Sequence, residues 1–168
     1  MTFQKAPVSR QNTLLRVLLE AIALGVLTAM VVHLVTEWTA LPDRVPRHFN
    51  IAGHPDAFGS KSSLLLVPGA AAGMWVALTV VGRLPALINL PFKVDRSAPE
   101  VRAVLAEMVS AMKTVLMLVF GGLHWLVMRV ALGQAQGLGD WFLPVLLIAT
   151  LVVPGWYLVR LWHYREPT

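Results

Sequence analysis

Four long apolar runs, separated by polar segments, set the pattern of this chain. A bilayer core about 30 Å thick takes roughly 20 apolar residues in a helix. Residues 14–36, 64–82, 114–132 and 142–160 meet that length and predict four membrane-spanning helices. The second run carries no charge, the first holds Glu20 near its start and His33 near its end, and the third holds His124 and Arg129. Pro68, Pro144 and Pro154 fall inside runs, which neighbouring helices can accommodate by satisfying the freed backbone groups. Trp141, Trp156, Tyr157 and Trp162 lie toward the ends of the fourth, as aromatic residues do at membrane interfaces. Lys5, Arg10 and Arg16 precede the first run, as in a signal peptide. That run is longer than the roughly 7–15 residues of a signal core and has no small-residue cleavage site after it, so it reads as an uncleaved span.

Between the spans the pattern changes twice. Residues 83–113 form one connecting segment, in which Ser97-Ala98-Pro99-Glu100 reads as a helix start with Ser97 as cap and Glu100 completing a capping box. Val101, Val104, Leu105, Met108 and Met112 then recur at helical spacing, which predicts a helix from near Ala98 into the third span, about 50 Å long. Residues 41–63 form the other segment, LPDRVPRHFNIAGHPDAFGSKSS. Pro42, Pro46 and Pro55 predict an extended, turned chain there, and Gly53 and Gly59 permit turns. The last connection, GQAQGLGD, is short and bland.

Composition sharpens the assignment. Apolar residues make up 57% of the 168 and charged residues 14%, where soluble domains carry roughly 25% charged. So short a chain cannot hide that much apolar surface from water. There is no cysteine, hence no disulfide or thiolate chemistry. The net charge of +5 is mainly a topology signal: with the N-terminus inside, ten Lys and Arg lie on the inner side and four on the outer. The expectation is an all-α membrane protein, one integral domain over residues 1–168. It is a four-helix bundle with both termini cytoplasmic, in the inner (cytoplasmic) membrane, with residues 41–63 as a structured extracytoplasmic loop. No soluble basic patch with interleaved aromatics suggests nucleic acid.

The candidate chemistry concentrates in that loop and in a few intramembrane polar residues. Asp43, Arg47, His48, Asn50, Asp56 and Lys61 are the candidates for contact with a ligand or partner. His33 and Glu37 share a helix face and, with His48, His54 and Asp56, offer imidazole and carboxylate ligands suited to zinc. Structural pairing is the preferred reading of that set, and the expectation is no cofactor. His124 needs a protein partner at mid-membrane depth, for which Thr28, Thr79 and Thr150 are candidates. Glu20, four residues after Arg16, is expected to pair with it, and Lys113 and Arg129 to anchor the third span at its ends. Ala21, Gly25 and Ala29, and Gly69, Gly73 and Ala77, make two small-residue faces. They are expected to pack spans one and two together, with homo-oligomerisation as the alternative. The sequence has no G-x-S-x-G turn, H-E-x-x-H helix, phosphate-binding glycine loop or dinucleotide fingerprint, so no enzyme is expected.

Leu41-Pro42-Asp43, Val45-Pro46, His48-Phe49-Asn50, Gly53, Pro55-Asp56 and Gly59-Ser60-Lys61 resemble, at about ten positions in register, a bacterial membrane family, domain of unknown function 1648. The family also forms the N-terminal part of SdpI-type immunity and signalling proteins. Asn89-Leu90-Pro91 and Val94 extend the resemblance, which covers residues 38–112, although the aromatic often found before the proline and an asparagine near Ala98 are missing. It implies a multi-span membrane protein and little biochemistry. The leading expectation is recognition of a peptide, toxin or partner subunit through the outer loop. The alternatives are small-solute or proton-coupled transport by an oligomer, using His124 and Glu20, and a metal-dependent membrane hydrolase.

Overall fold

The computed structural model describes residues 10–166; Lys5 and Ser9 lie outside the described residues. The long helices are α1 (Arg10–Glu37), α2 (Leu66–Arg83), α3 (Pro99–Ala131) and α4 (Phe142–Trp162). A two-stranded antiparallel hairpin, β1 (Arg44–Phe49) and β2 (Pro55–Ser60), joins α1 to α2, followed by a short 3₁₀ turn at Lys61–Leu65. The segment between α1 and α2, expected as an extended, turned and structured loop, is paired into a small sheet, so the chain is not all-α.

All four helices are long and apolar enough to cross a membrane. Their exposed faces give the reason to place them in lipid. Leu14, Leu18 and Val35 on α1 and Ile148, Leu151 and Val159 on α4 stand open. Water would oppose so much contiguous apolar surface. α3 is the hub, packing against each of the other three, while α1 and α2 touch sparingly. Accordingly the most apolar stretch of α3 is 50% buried inside the protein and that of α4 only 6%.

The small-residue faces do not build the predicted seam between α1 and α2. A Cβ added at Gly25, Gly69 or Gly73 would meet nothing within 4 Å. The close approach lies at Gly121, where an added Cβ would stand 2.6 Å from Val26 Cγ1, so a glycine on α3 lets α1 come near. Ser97 does not cap α3 either: Ala98 is the cap residue, and the Ser97 amide and hydroxyl both donate to Asp95 Oδ1, at 2.9 and 2.5 Å. A tight Asx turn thus precedes the helix, whose cap residue makes no side-chain bond to the first amides.

Two apolar clusters close the ends of the bundle. At one end Val45 and Leu41 from the hairpin segment pack with Leu34, Leu126, Met128 and Leu138. At the other, Ile88, Val101, Leu105, Tyr157 and Leu161 pack together. There the Arg96 guanidinium gathers the carbonyls of Pro85, Ala86 and Ile88 at 3.1, 3.0 and 2.7 Å, and Glu166 N–H donates to Lys93 C=O at 3.1 Å. Arg96, read only as a topology charge, also fixes the connection between α2 and α3.

Candidate functional site

The hairpin is built from its turn outward. The Asn50 side-chain oxygen accepts from the amides of Ala52 and His54, both at 3.0 Å, while its own amide donates to His54 C=O at 2.9 Å. This Asx-type closure brings β2 back alongside β1. Gly53 takes φ +76°, in the left-handed region, and its carbonyl accepts the Leu138 amide at 2.9 Å. An added Cβ on Gly137 would lie 2.6 Å from that carbonyl oxygen. The connection between α3 and α4, unremarkable as sequence, is thus docked on the hairpin, and its glycines are the signal that could have shown it.

The two register shifts beside His48 leave Arg47 of β1 and then Asp56 of β2 without a paired residue, a bulge on each strand. His48 Nδ1 and Asp56 Oδ1 meet at 2.6 Å on an exposed surface. The Arg47 side chain lies across Gly59, where an added Cβ would be 2.9 Å from Arg47 Cδ. Lys61 stands 5.4 Å over the Trp38 ring and 3.9 Å from the Asp43 carboxylate. Asn50 therefore serves the turn, while Arg47, His48 and Asp56 share an exposed surface with Phe58, and Ile51 at the tip is 92% exposed. Asn50→Ala should remove two bonds and destabilise the hairpin by about 1–2 kcal/mol. Hydrogen exchange should rise at the Ala52 and His54 amides and stay unchanged in α3.

The intramembrane polar residues pair differently from expectation. Glu20 meets Lys113, not Arg16: Lys113 Nζ donates to both carboxylate oxygens at 2.8 Å, and the Ser110 hydroxyl donates to Oε1 at 3.0 Å. Lys113 also donates to Thr79 Oγ1 at 2.9 Å and lies 5.1 Å over the Trp75 ring. At 3% exposed it is no snorkelling anchor but the centre of a junction of α1, α2 and α3. A second clamp, unmarked in the sequence reading, joins α3 to α4. Buried Glu107 accepts from the Tyr157 hydroxyl at 2.9 Å and from Arg160 at 2.7 Å.

His124, buried on α3, has none of the predicted threonine partners. Thr28, Thr79 and Thr150 donate to their own helices, at Leu24, Trp75 and Leu146 C=O. His124 instead meets His33 of α1, ring edge to ring face, with centroids 5.5 Å apart. Among the described residues no three His, Asp or Glu side chains gather closely enough to hold a metal ion. Of the set His33, Glu37, His48, His54 and Asp56, only His48 and Asp56 come together.

Comparison with known proteins identifies the hairpin region. Residues 25–72 match the family described as Domain of unknown function (DUF1648). An uncharacterized protein of Archaeoglobus fulgidus is 38% identical over 88 residues, covering 48% of this chain and 45% of the relative. The match thus spans less than half of that relative's length. No solved structure matches. The DUF1648 match takes in the C-terminal part of α1 with His33, the whole hairpin and the start of α2. Glu20, Glu107, Lys113 and His124 lie outside it. Within the matched residues, Asn50 and Gly53 shape the turn, Val45 lies in the core beneath, and Gly59 lies under Arg47.

Proposed function

We propose that the chain is a non-enzymatic multi-pass protein of the cytoplasmic membrane, with both termini inside. In this reading its hairpin faces outward and recognises a peptide, toxin or partner subunit, in the manner of immunity or signalling proteins. The excess of Lys and Arg at the end opposite the hairpin supports the orientation. The observation that carries recognition is the division of labour within the hairpin. Val45 and Leu41 hold it to the bundle and Asn50 closes its turn, yet Ile51 at 92% and Phe58 at 50% exposure serve neither purpose. Such apolar residues beside Arg47, His48 and Asp56 form a compact surface suited to protein contact.

A photo-crosslinking amino acid at position 51, in intact cells, tests this. One discrete adduct is expected, reduced about fivefold by Phe58→Ser at unchanged abundance, as for loss of a contact worth about 1 kcal/mol. No adduct, or one indifferent to Phe58, would count against recognition. A second reading, proton-coupled or small-solute transport by an oligomer, is favoured by one feature. A recess of about 360 Å³ beside Glu20 and Lys113 is bordered by Arg16 and Arg83. Vesicles carrying the protein and showing no flux of protons or small ions would remove it.

A further inference from the structure

A cleft between α1 and α3, in the half of the bundle nearer the hairpin, has a volume of about 470 Å³. Val26, Ala29, Met30 and His33 of α1 face Leu118, Gly121, Gly122, His124 and Trp125 of α3 across it. Its mouth opens sideways: Ala29, Leu118 and Trp125 stand on the exposed surface that lipid would cover. Its floor carries the anomaly. His124 is 3% exposed, and its Nε2 meets no donor or acceptor among the described residues. Buried polar atoms are nearly always hydrogen-bonded, and in hydrocarbon no water stands ready to serve as partner.

We propose that this cleft binds a long-chain, membrane-dissolved molecule through a single uncharged carbonyl or hydroxyl oxygen, which reaches His124 Nε2 when the imidazole turns toward the cleft, since that nitrogen is closed off from it as the rings stand. Three features select that class. Access from the side suits a molecule already in the bilayer. The lining holds no Lys, Arg, Asp or Glu, and the Arg129 guanidinium stands over the Trp125 ring at the mouth, so a phosphate or carboxylate drawn to the floor would be buried without a counter-charge. The third is distance along the helices: His33 lies four residues and His124 seven residues before their helix ends, about 6–10 Å along the axes, so a headgroup held at those ends would not reach the floor. An imidazole nitrogen donates or accepts according to tautomer, so it serves a carbonyl or a hydroxyl equally. Gly122, beside which a Cβ would meet nothing within 4 Å, keeps the cleft open. Two sources fit this chemistry: a quinone with a long tail, and a long-chain alcohol.

The full-length protein in phosphatidylcholine nanodiscs should be titrated with a decyl-substituted benzoquinone, reading tryptophan quenching, with Trp125→Phe identifying the share due to Trp125. Saturable quenching is expected, with affinity at least about tenfold weaker in His124→Phe, which keeps a ring and removes both ring nitrogens. Gly122→Leu should block binding by filling the cleft, and it decides the matter if His124→Phe fails to fold. Because the nitrogen is unpartnered, His124→Phe is not expected to lower the thermal unfolding midpoint. Displacement by 1-hexadecanol would show that the oxygen and chain suffice; its failure to displace would assign the site to the quinone ring. Non-saturable quenching, equal affinity in His124→Phe and Gly122→Leu, or displacement by phosphatidylglycerol would overturn the proposal.

Discussion

Glu20→Ala is expected to destabilise the protein by about 3–5 kcal/mol, the cost of leaving a buried charge without its partner. Lys113 is enclosed by α1, α2 and α3, and Glu20 supplies both of its carboxylate contacts. Thr79 remains, but a hydroxyl does not neutralise an ammonium, and the Ser110 hydroxyl loses its own acceptor. Glu20 is itself about a third exposed, so the loss falls mainly on the lysine. The double variant Glu20→Leu, Lys113→Met should recover most of the stability, because an apolar pair of similar volume avoids the desolvation penalty altogether. Thermal unfolding in detergent measures both. If the single variant unfolds within a degree of the parent, the junction does not hold the three helices together.

Glu107→Ala should be the next most damaging change, by about 2–4 kcal/mol, and its effect should be felt in α4. This helix buries little of itself, and its firmest contacts are Leu161 and Tyr157. Without Glu107 the Tyr157 hydroxyl loses its acceptor inside the bundle, which costs about 1–3 kcal/mol. Arg160, a third exposed, can extend toward headgroups and adds less. Glu107→Gln keeps an acceptor for Tyr157 and should lose about half as much. Hydrogen exchange over residues 150–162 should rise in Glu107→Ala well before α1 or α3 is affected. Uniform loosening of all four helices would contradict a local clamp.

The two variants also mark where the sequence was and was not legible. The four helices follow from hydropathy and length, properties that act residue by residue. The long reach of α3 follows from Pro99 and the helical recurrence of Val101, Leu105 and Met108. Partners were harder. Glu20 has Arg16 one turn away, so the local rule favoured that pair, yet α3 brings Lys113, 93 positions distant, to the same carboxylate. His33 and His124 were both noticed, but nothing along the chain says that α1 and α3 cross with those rings facing. A small-residue stripe reads the same whether it meets a helix or lipid, so Gly25, Gly69 and Gly73 suggested a seam that is not there, and nothing along the chain marks Gly121 as the point of close approach. In the hairpin, the prolines and the bulge at Arg47 hide the strand alternation, leaving only the turn residues Asn50 and Gly53 as signals.

Cysteine labelling tests the central claim most directly, and the natural absence of cysteine makes it clean. Ile51→Cys and Gln136→Cys lie at the hairpin end, and Ala86→Cys and His163→Cys at the opposite end, all at exposed positions. In intact cells a membrane-impermeant maleimide should modify the first two and reach the second two only after permeabilisation. Labelling of positions 86 and 163 in intact cells, with 51 and 136 protected, would invert the orientation and remove the hairpin from the outer face. Labelling of all four alike would contradict the four crossings themselves.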